Sequence, residues 1–211
     1  MMGRIWVEAK TFKQSSRTSL LVNSTEELSL MNARLQVPFV PSPDPVVRRM
    51  LSLAEVKAGE LVYDLGAGDG RILSSAVKDF DAKAIGVELH ETRYEGIAKR
   101  IEREHLGNSA WVIRGDFFNV DLSQADVVTL YLLTSVNSLI KPKLEHELKA
   151  GARVVSHDFP IHGWIPIYVE NVRDKFSNSH MVYLYRVPES MRHQSSSVPR
   201  AVARLTRWRG F

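Results

Sequence analysis

The chain has 211 residues, 44% of them hydrophobic, and this length accommodates one α/β domain with a sizeable core and short tails. It contains no cysteine, which excludes disulfides, thiolate metal sites and cysteine nucleophiles and suits a reducing, intracellular setting. The net charge of +4 is compatible with acidic proteins, nucleic acid or nucleic-acid-associated proteins as partners, and equally with a solvated basic surface that binds nothing.

Apolar runs in the chain are short. None approaches the roughly 20 residues that a membrane-spanning helix needs. The patch Ser19-Leu20-Leu21-Val22 is too short for the core of a signal peptide. The sequence therefore predicts a soluble, cytoplasmic protein without a membrane association.

Residues 1–36 are mostly polar and show no sustained helical or strand period, so we expect a poorly ordered N-terminal extension. Met31 opens a segment that leads directly into Val37 and Pro38. Translation could begin at Met31, or Met31 could be an ordinary apolar residue. The sequence leaves both alternatives open.

The segment Pro41-Ser42-Pro43-Asp44-Pro45 predicts a rigid, extended entry to the domain, because each proline restricts the residue before it. A helix should follow. Its apolar spacing predicts one buried face, formed by Val46, Val47, Met50, Leu51 and Ala54.

From there the chain alternates strands with helices. Strands are predicted at residues 61–64, 84–88, 110–113, 126–132 and 153–156. Helices are predicted at residues 71–80, around Tyr94, Ile97, Ala98 and Ile101, and at residues 136–148 with an interruption near Pro142. This alternation is typical of an α/β fold with a parallel sheet that is covered on both faces.

The last two predicted strands, residues 168–176 and 181–187, are separated by the short turn Ser177-Asn178-Ser179 and should form an antiparallel hairpin. An Arg- and Ser-rich tail follows over residues 189–211. It is either a solvated segment or a contact for an acidic partner through Arg200, Arg204, Arg207, Trp208 and Arg209. We therefore divide the chain into an extension (1–36), one domain (37–188) and a basic tail (189–211).

The turn between the first strand and its helix reads Asp64-Leu65-Gly66-Ala67-Gly68-Asp69-Gly70. In an open α/β sheet, ligands bind beyond the carboxyl ends of the strands, and this first turn is the usual place. A phosphate-binding P-loop requires Gly-Lys followed by Ser or Thr, but Arg71 and Ile72 follow Gly70. A dinucleotide fingerprint requires glycine where Arg71 stands.

Charge also argues against a phosphate ligand at this turn. A carboxylate such as Asp64 or Asp69 lying about 5 Å from a phosphate charge costs about 3 kcal/mol at an effective dielectric near 20. S-adenosylmethionine instead carries an ammonium and a sulfonium beside a single carboxylate. The turn, with Gly66, Gly68 and Gly70, therefore favours S-adenosylmethionine as the cofactor.

Further candidate groups follow the next two strands. Glu88 ends the second strand, where its carboxylate can accept hydrogen bonds from both ribose hydroxyls. Asp116 and Phe117 follow the third strand. The Asp116 carboxylate could accept a hydrogen bond from an adenine amine, and Phe117 could form an apolar wall. Each residue alone has another explanation: a helix cap for Asp64 or Asp69, a surface charge for Glu88, or core packing for Phe117. Their concurrence at three successive strand ends favours a binding site.

Six segments occur in a characteristic order: PFVPSPDPVVRRML, VYDLGAGDGRI, GVELH, RGDFFNVDLSQADVVTLYLLTSVN, KPKLEHELKAGARVVSHDF and VYLYRV. With them, residues 37–188 resemble the seven-strand S-adenosylmethionine-dependent methyltransferases, in particular archaeal protein-lysine N-methyltransferases and their mitochondrial lysine-methylating relatives. The resemblance implies a Rossmann-like, mostly parallel sheet with an antiparallel C-terminal hairpin and helices on both faces. It also implies methylation of lysine side chains in protein substrates, with the methyl donor's amino-acid end near Val40, Pro41, Ser42 and the glycine turn.

Lysine methylation requires an uncharged amine, whose unperturbed pKa is near 10.4, and a narrow apolar channel would lower that pKa. The end of the fourth strand is where such a channel should lie, and Tyr131, Thr134 and Asn137 are the candidates for orienting the amine. His157 could aid proton removal or be a hydrogen-bonded structural histidine. Trp164 is predicted to pack at the rim, and no cluster of metal ligands is apparent.

Alternatives to lysine methylation remain open. The basic charge favours a nucleic-acid methyltransferase, although YLLTSVN replaces the Asn-Pro-Pro-aromatic loop of nucleobase amine methylation. A small-molecule acceptor and a module that binds cofactor or nucleic acid without transferring a methyl group are further alternatives. Direct nucleic-acid binding is left undecided.

Overall fold

A computed structural model describes residues 39–191. The predicted N-terminal extension, Met31 and almost all of the basic tail lie outside these described residues. Within them, no helix combines the length and the apolar character that crossing a membrane requires.

The described chain forms four α-helices and seven strands. In chain order these are α1 (Asp44–Leu53), β1 (Leu61–Leu65), α2 (Arg71–Phe80), β2 (Lys83–Glu88), α3 (Glu91–Arg103), β3 (Ala110–Arg114), β4 (Val127–Leu130), α4 (Thr134–Glu147), β5 (Arg153–His157), β6 (Tyr168–Arg173) and β7 (Ser179–Arg186). Short 3-10 turns cover Phe117–Asn119 and Glu189–Met191.

All seven strands belong to one sheet with the order β3-β2-β1-β4-β5-β7-β6. Strands β1 to β5 pair in parallel, and β7 lies antiparallel between β5 and β6. The predicted fold class and the C-terminal hairpin are therefore confirmed. Strand order reverses between β1 and β4, so the carboxyl ends of these two strands border the crevice where α/β proteins bind ligands.

Apolar side chains fill the space on both faces of the sheet. One cluster joins α1, α2 and Ile97 of α3 to the sheet, and the other joins α4 to the opposite face. The predicted buried face of α1 is confirmed, because each of its five residues is at most 2% exposed. The two-sided core fixes the positions of the loops that follow β1, β2 and β4.

The end of β4 and the continuity of α4 differ from the prediction. Strand β4 ends at Leu130, so Tyr131 and Leu132 belong to the loop before α4 rather than to the strand. The predicted interruption at Pro142 is wrong, because α4 continues through it. Proline removes one backbone hydrogen bond, but burial of Val136, Ile140 and Leu144 offsets that loss, each worth about 1.5–3 kcal/mol.

Candidate active site

A cleft with an empty volume of about 920 Å³, including its open mouth, lies at the carboxyl ends of β1, β2 and β4. Ten of the eleven predicted cofactor residues line the cleft: Val40, Pro41, Ser42, Asp64, Gly66, Gly68, Asp69, Glu88, Asp116 and Phe117. The eleventh, Gly70, lies behind the glycine turn against Ile97 of α3.

The glycine turn is held to the neighbouring strand by its backbone. The amides of Gly66 and Ala67 both donate to the carbonyl of Val87, at 2.9 and 3.0 Å. Gly68 has a φ of +58°, and a methyl group there would collide with the ring of Phe39. Glycine at this position therefore allows the ring of Phe39 to pack against the turn and form one wall of the cleft.

We expect Gly68→Ala to destabilise the protein by about 1–2 kcal/mol, because alanine is disfavoured at positive φ, and to weaken cofactor binding by displacing Phe39. Gly107→Ala is the matched control, since a methyl group there meets no atom within 4 Å. Urea unfolding and calorimetric titration with S-adenosylmethionine measure the two effects. Equal behaviour of the two variants would contradict this role of the turn.

Asp64 is the most deeply placed charge beside the turn. Its side chain is 4% exposed and accepts a hydrogen bond of 2.8 Å from the Thr129 hydroxyl. Burial raises the pKa of Asp64 to about 7; the Thr129 hydrogen bond opposes this, and the charges of Asp69 and Glu88 add to it. A cationic ligand would favour the ionised form of Asp64 and would itself be favoured by it.

The raised pKa of Asp64 has a consequence for stability. Ionisation of a carboxyl whose pKa is higher in the folded state destabilises that state, so this cost grows as the pH rises from about 4 to about 7. In the absence of ligand, Asp64→Asn should therefore be more stable than the wild type at pH 8, by about 4 kcal/mol, with the difference shrinking towards pH 4. Urea unfolding at both pH values measures it, with exposed Asp79→Asn as control; a pH-independent difference would contradict the assignment.

Glu88 is buried and held by three donors of the protein. Its Oε2 accepts from the Gly68 amide at 2.9 Å, and its Oε1 accepts from the His90 amide at 2.9 Å and from Arg93 Nε at 3.0 Å. These bonds fix the carboxylate at the wall of the cleft. A carboxylate offers about four acceptor positions, so Oε2 retains capacity for a ligand hydroxyl.

Asp69 differs from Asp64 in having a cationic partner. Burial favours its neutral form, but hydrogen bonds and charge from Arg71, with Arg100 beyond, hold the pKa of Asp69 below its usual range. Arg71 also donates to the carbonyl of Ser42 at 2.8 Å and so joins the turn to the entry segment. The sequence analysis did not assign a role to Arg71 or Arg93, although Arg71 directly follows the turn.

The opposite side of the cleft is formed by the loop after β3. Asp116 accepts from the amide of Phe118 at 2.9 Å and so caps the short 3-10 turn. Phe117 lines the cleft and also contacts the ring of Phe118, with the centroids 4.9 Å apart. The predicted apolar wall and the acidic group are thus on the same loop.

The three predicted amine-orienting residues occupy different environments. Tyr131 lines the cleft, and its hydroxyl donates to Asp158 Oδ2 at 3.3 Å. Thr134 is exposed at the start of α4 and does not line the cleft. Asn137 is fully buried and donates to the Phe159 carbonyl at 2.8 Å, while its Oδ1 is buried without a hydrogen-bond partner among the described residues.

His157 is buried among polar side chains behind the cleft. Its Nδ1 lies 2.8 Å from Ser42 Oγ and its Nε2 lies 3.0 Å from His180 Nδ1. Burial lowers the pKa of His157, so the ring is neutral near pH 7. Since the ring is fully buried and contacts protein groups through both nitrogens, the structure favours the hydrogen-bonded structural role over direct proton removal.

His180 was missed by the sequence analysis. It lies 23 residues after His157, and the antiparallel pairing of β5 with β7 brings the two rings together. Trp164 is a packing residue, but it lies in the core and not at the rim of the cleft, because it is 5% exposed and does not line the cleft. Its Nε1 donates to Glu145 at 2.7 Å, and its ring meets Tyr185 edge-on.

The donor set of the cleft fits S-adenosylmethionine. Asp64 is a buried carboxylate that no cationic side chain of residues 39–191 pairs with, which suits a ligand ammonium or sulfonium. Glu88 suits ribose hydroxyls, and Phe117 with Leu132 supplies apolar surface for a flat ring. The acidic residues of the cleft thus match the cationic groups of the cofactor, and its apolar residues match the cofactor's aromatic ring.

Comparison with known proteins gives a matching picture. Residues 64–168 match the family model described as the ANTKMT methyltransferase domain. The chain is 52% identical over 154 residues to a protein-lysine N-methyltransferase from Saccharolobus islandicus, covering 72% of this chain and 95% of that protein. It is 41% identical to the mouse adenine nucleotide translocase lysine N-methyltransferase, covering 64% of this chain but only 59% of the mouse protein's length.

Among solved structures, the chain is similar to a protein from Salinibacter ruber described as an RNA methyltransferase in complex with S-adenosyl-L-homocysteine. The two are 39% identical, with a TM-score of 0.66 and coverage of 71% of this chain and 95% of the other. The relative thus binds the demethylated product of S-adenosylmethionine on a similar fold.

Proposed function

The chain belongs to the family of S-adenosylmethionine-dependent protein-lysine N-methyltransferases, and from this premise we propose how its cleft divides between cofactor and lysine. The protein transfers a methyl group from S-adenosylmethionine to lysine side chains of protein substrates. The observation that carries the proposal is the joining of two buried carboxylates, Asp64 and Glu88, to Tyr131 along one continuous cleft.

We propose that Asp64 and Glu88 hold the amino-acid and ribose parts of the cofactor, with the 39–42 segment and the glycine turn closing around its amino-acid end. Asp116 and Phe117 hold the adenine. When bound, S-adenosylmethionine supplies a methyl group made electrophilic by its sulfonium. The task of the chain is to align this group with the incoming amine and to exclude water.

The lysine amine enters beside Tyr131 in this proposal. The hydrocarbon stem of lysine passes Leu132 and Phe39, and the apolar surroundings favour the uncharged amine. Tyr131 Oη, held by its bond to Asp158, orients the amine. Asn137 does not line the cleft, and its side-chain amide donates a hydrogen bond to the Phe159 carbonyl in the loop after β5. It therefore acts as a positioning residue through Phe159.

RNA is the second candidate substrate, because the similar Salinibacter ruber structure is described as an RNA methyltransferase. One experiment separates the two candidates. The full chain is incubated with isotope-labelled S-adenosylmethionine and host extract, with one half of the extract treated with nuclease, and the products are hydrolysed to identify the labelled group.

We expect label in methyl-lysine, in both halves, and its loss in Asp64→Ala and Glu88→Ala. Label in nucleotides that disappears after nuclease treatment would instead establish RNA as the substrate. Label in neither polymer, combined with measurable cofactor binding, would contradict both assignments and favour a small-molecule acceptor.

Location, partners and domain limits are also proposals. We propose that the protein is cytoplasmic and that its substrates include nucleic-acid-associated proteins, on the basis of the cysteine-free composition and the basic charge. We further propose that residues 37–188 form the catalytic domain. Methyl-lysine mapping in a fractionated extract tests the partner class directly.

A further inference from the structure

Three ligand atoms converge beside the cleft, on residues that the proposed methyl transfer does not use directly. His157 Nε2 lies 3.0 Å from His180 Nδ1 and 3.2 Å from Asp158 Oδ2, and the latter two atoms are 3.4 Å apart. The same three atoms thus form a nearly equilateral triangle. Among the described residues, this group has the composition and spacing that could hold a metal ion.

The dimensions of the triangle match a tetrahedral zinc site. Ligand atoms about 2.0–2.1 Å from one Zn²⁺ in tetrahedral geometry are about 3.3 Å apart. The three observed separations bracket this value. An ion above the plane of the triangle could reach all three atoms with little movement, and its fourth position would remain open to a water molecule.

The outer contacts of both rings agree with metal ligation. If His157 carries its proton on Nδ1, that N–H is directed at Ser42 Oγ, 2.8 Å away, and Nε2 presents a lone pair to the triangle. The Nδ1 of His180 lies at the triangle, and its Nε2 lies 3.6 Å from Asp174 Oδ2, within ion-pair range but too far for a hydrogen bond.

The carboxylate is oriented as well. Asp158 Oδ1 accepts from the amide of Met181 at 2.9 Å, which leaves Oδ2 directed at the two rings. Tyr131 donates to the same Oδ2 and stacks on His157, with the ring centroids 3.8 Å apart. Two imidazole nitrogens and one carboxylate oxygen thus lie within 3.4 Å of one another, close enough to bind a single cation.

We infer that His157, Asp158 and His180 form a binding site for a transition-metal ion with the preferences of Zn²⁺. Two imidazoles and one carboxylate select such an ion over Mg²⁺, which prefers six oxygen ligands. The site clamps the end of β5 to the start of β7 and, through Tyr131 and Ser42, borders the cofactor cleft. None of the three ligand residues lines the cleft, so metal binding can be measured separately from cofactor binding.

Metal binding by the full chain tests this inference. The protein is dialysed against a chelator and titrated with Zn²⁺ against a chromophoric competitor, and Co²⁺ absorption reports the coordination geometry. We expect a dissociation constant below about 1 µM for Zn²⁺, as three protein ligands should give, a tetrahedral Co²⁺ spectrum and no competition from Mg²⁺.

Two variants and a control assign that binding to the triangle. His180→Ala and Asp158→Asn should each weaken Zn²⁺ binding at least a hundredfold and remove the Co²⁺ spectrum, whereas exposed His162→Ala should change neither. Circular dichroism verifies that each variant is folded. Wild-type protein that binds no Zn²⁺, or binding that both variants retain, would overturn the inference and leave a shared proton as the occupant of the triangle. Cofactor titration of the metal-depleted wild type tests the methyltransferase assignment separately.

Discussion

Glu88→Gln is expected to weaken S-adenosylmethionine binding by at least a hundredfold. The carboxylate of Glu88 faces three donors, the amides of Gly68 and His90 and the guanidinium of Arg93. Glutamine retains one acceptor oxygen, so its NH₂ group must face one of these donors. The variant also loses a charge-assisted hydrogen bond to ribose, worth roughly 1.5–3 kcal/mol, and about 1.4 kcal/mol corresponds to a tenfold change in affinity.

Calorimetric titration with S-adenosylmethionine and S-adenosylhomocysteine measures this loss. Glu91→Gln is the matched control, because Glu91 is an exposed residue three positions along the chain that pairs with Arg114 outside the cleft. Both variants should unfold cooperatively in urea, which separates loss of binding from loss of structure. An affinity of Glu88→Gln within threefold of the wild type would exclude Glu88 as the ribose ligand.

The second large effect is expected for Tyr131→Phe. Removal of the hydroxyl should lower the turnover of lysine methylation by about ten- to a hundredfold, because an oriented hydrogen bond to the amine is lost. Affinity for S-adenosylmethionine should stay within about threefold of the wild type, since the ring remains stacked on His157 and continues to line the cleft. A fall in kcat without a change in cofactor affinity distinguishes the proposed role from a structural one.

Single-turnover methylation of a lysine peptide identified in the labelling experiment measures the effect, with Tyr94→Phe on α3 as the control outside the cleft. Asn137→Ala should give a similar loss of turnover by releasing the loop that carries Phe159. Full turnover in both Tyr131→Phe and Asn137→Ala would exclude a lysine channel at the end of β4.

Local sequence patterns predicted much of the fold. The buried face of α1 follows from helical spacing alone, and α2 follows from the glycine turn that precedes it. Patterns were less reliable where tertiary burial decides the outcome: α4 continues through Pro142 because its apolar face packs against the sheet. The expectation that Pro142 interrupts the helix considers the lost backbone hydrogen bond but not the burial of apolar side chains that offsets its cost.

In the cleft, too, some features follow from the sequence and others only from tertiary packing. Carboxylates at successive strand ends are visible in the sequence, because parallel strands bring their carboxyl ends to one edge. The different states of Asp64 and Asp69 are not visible there, since they depend on which carboxylate is buried and which one meets Arg71 and Arg100. Two acidic residues on one turn thus acquire opposite pKa shifts.

By itself, the sequence determined the order of strands and helices, the glycine turn and the acidic groups that suit a cationic cofactor, because these depend on neighbours along the chain. The tertiary structure alone decided that Asn137 is buried, that Arg71 joins the turn to Ser42, and that His157 meets His180. Such contacts depend on sheet register and side-chain burial, which arise only when segments distant along the chain pack together.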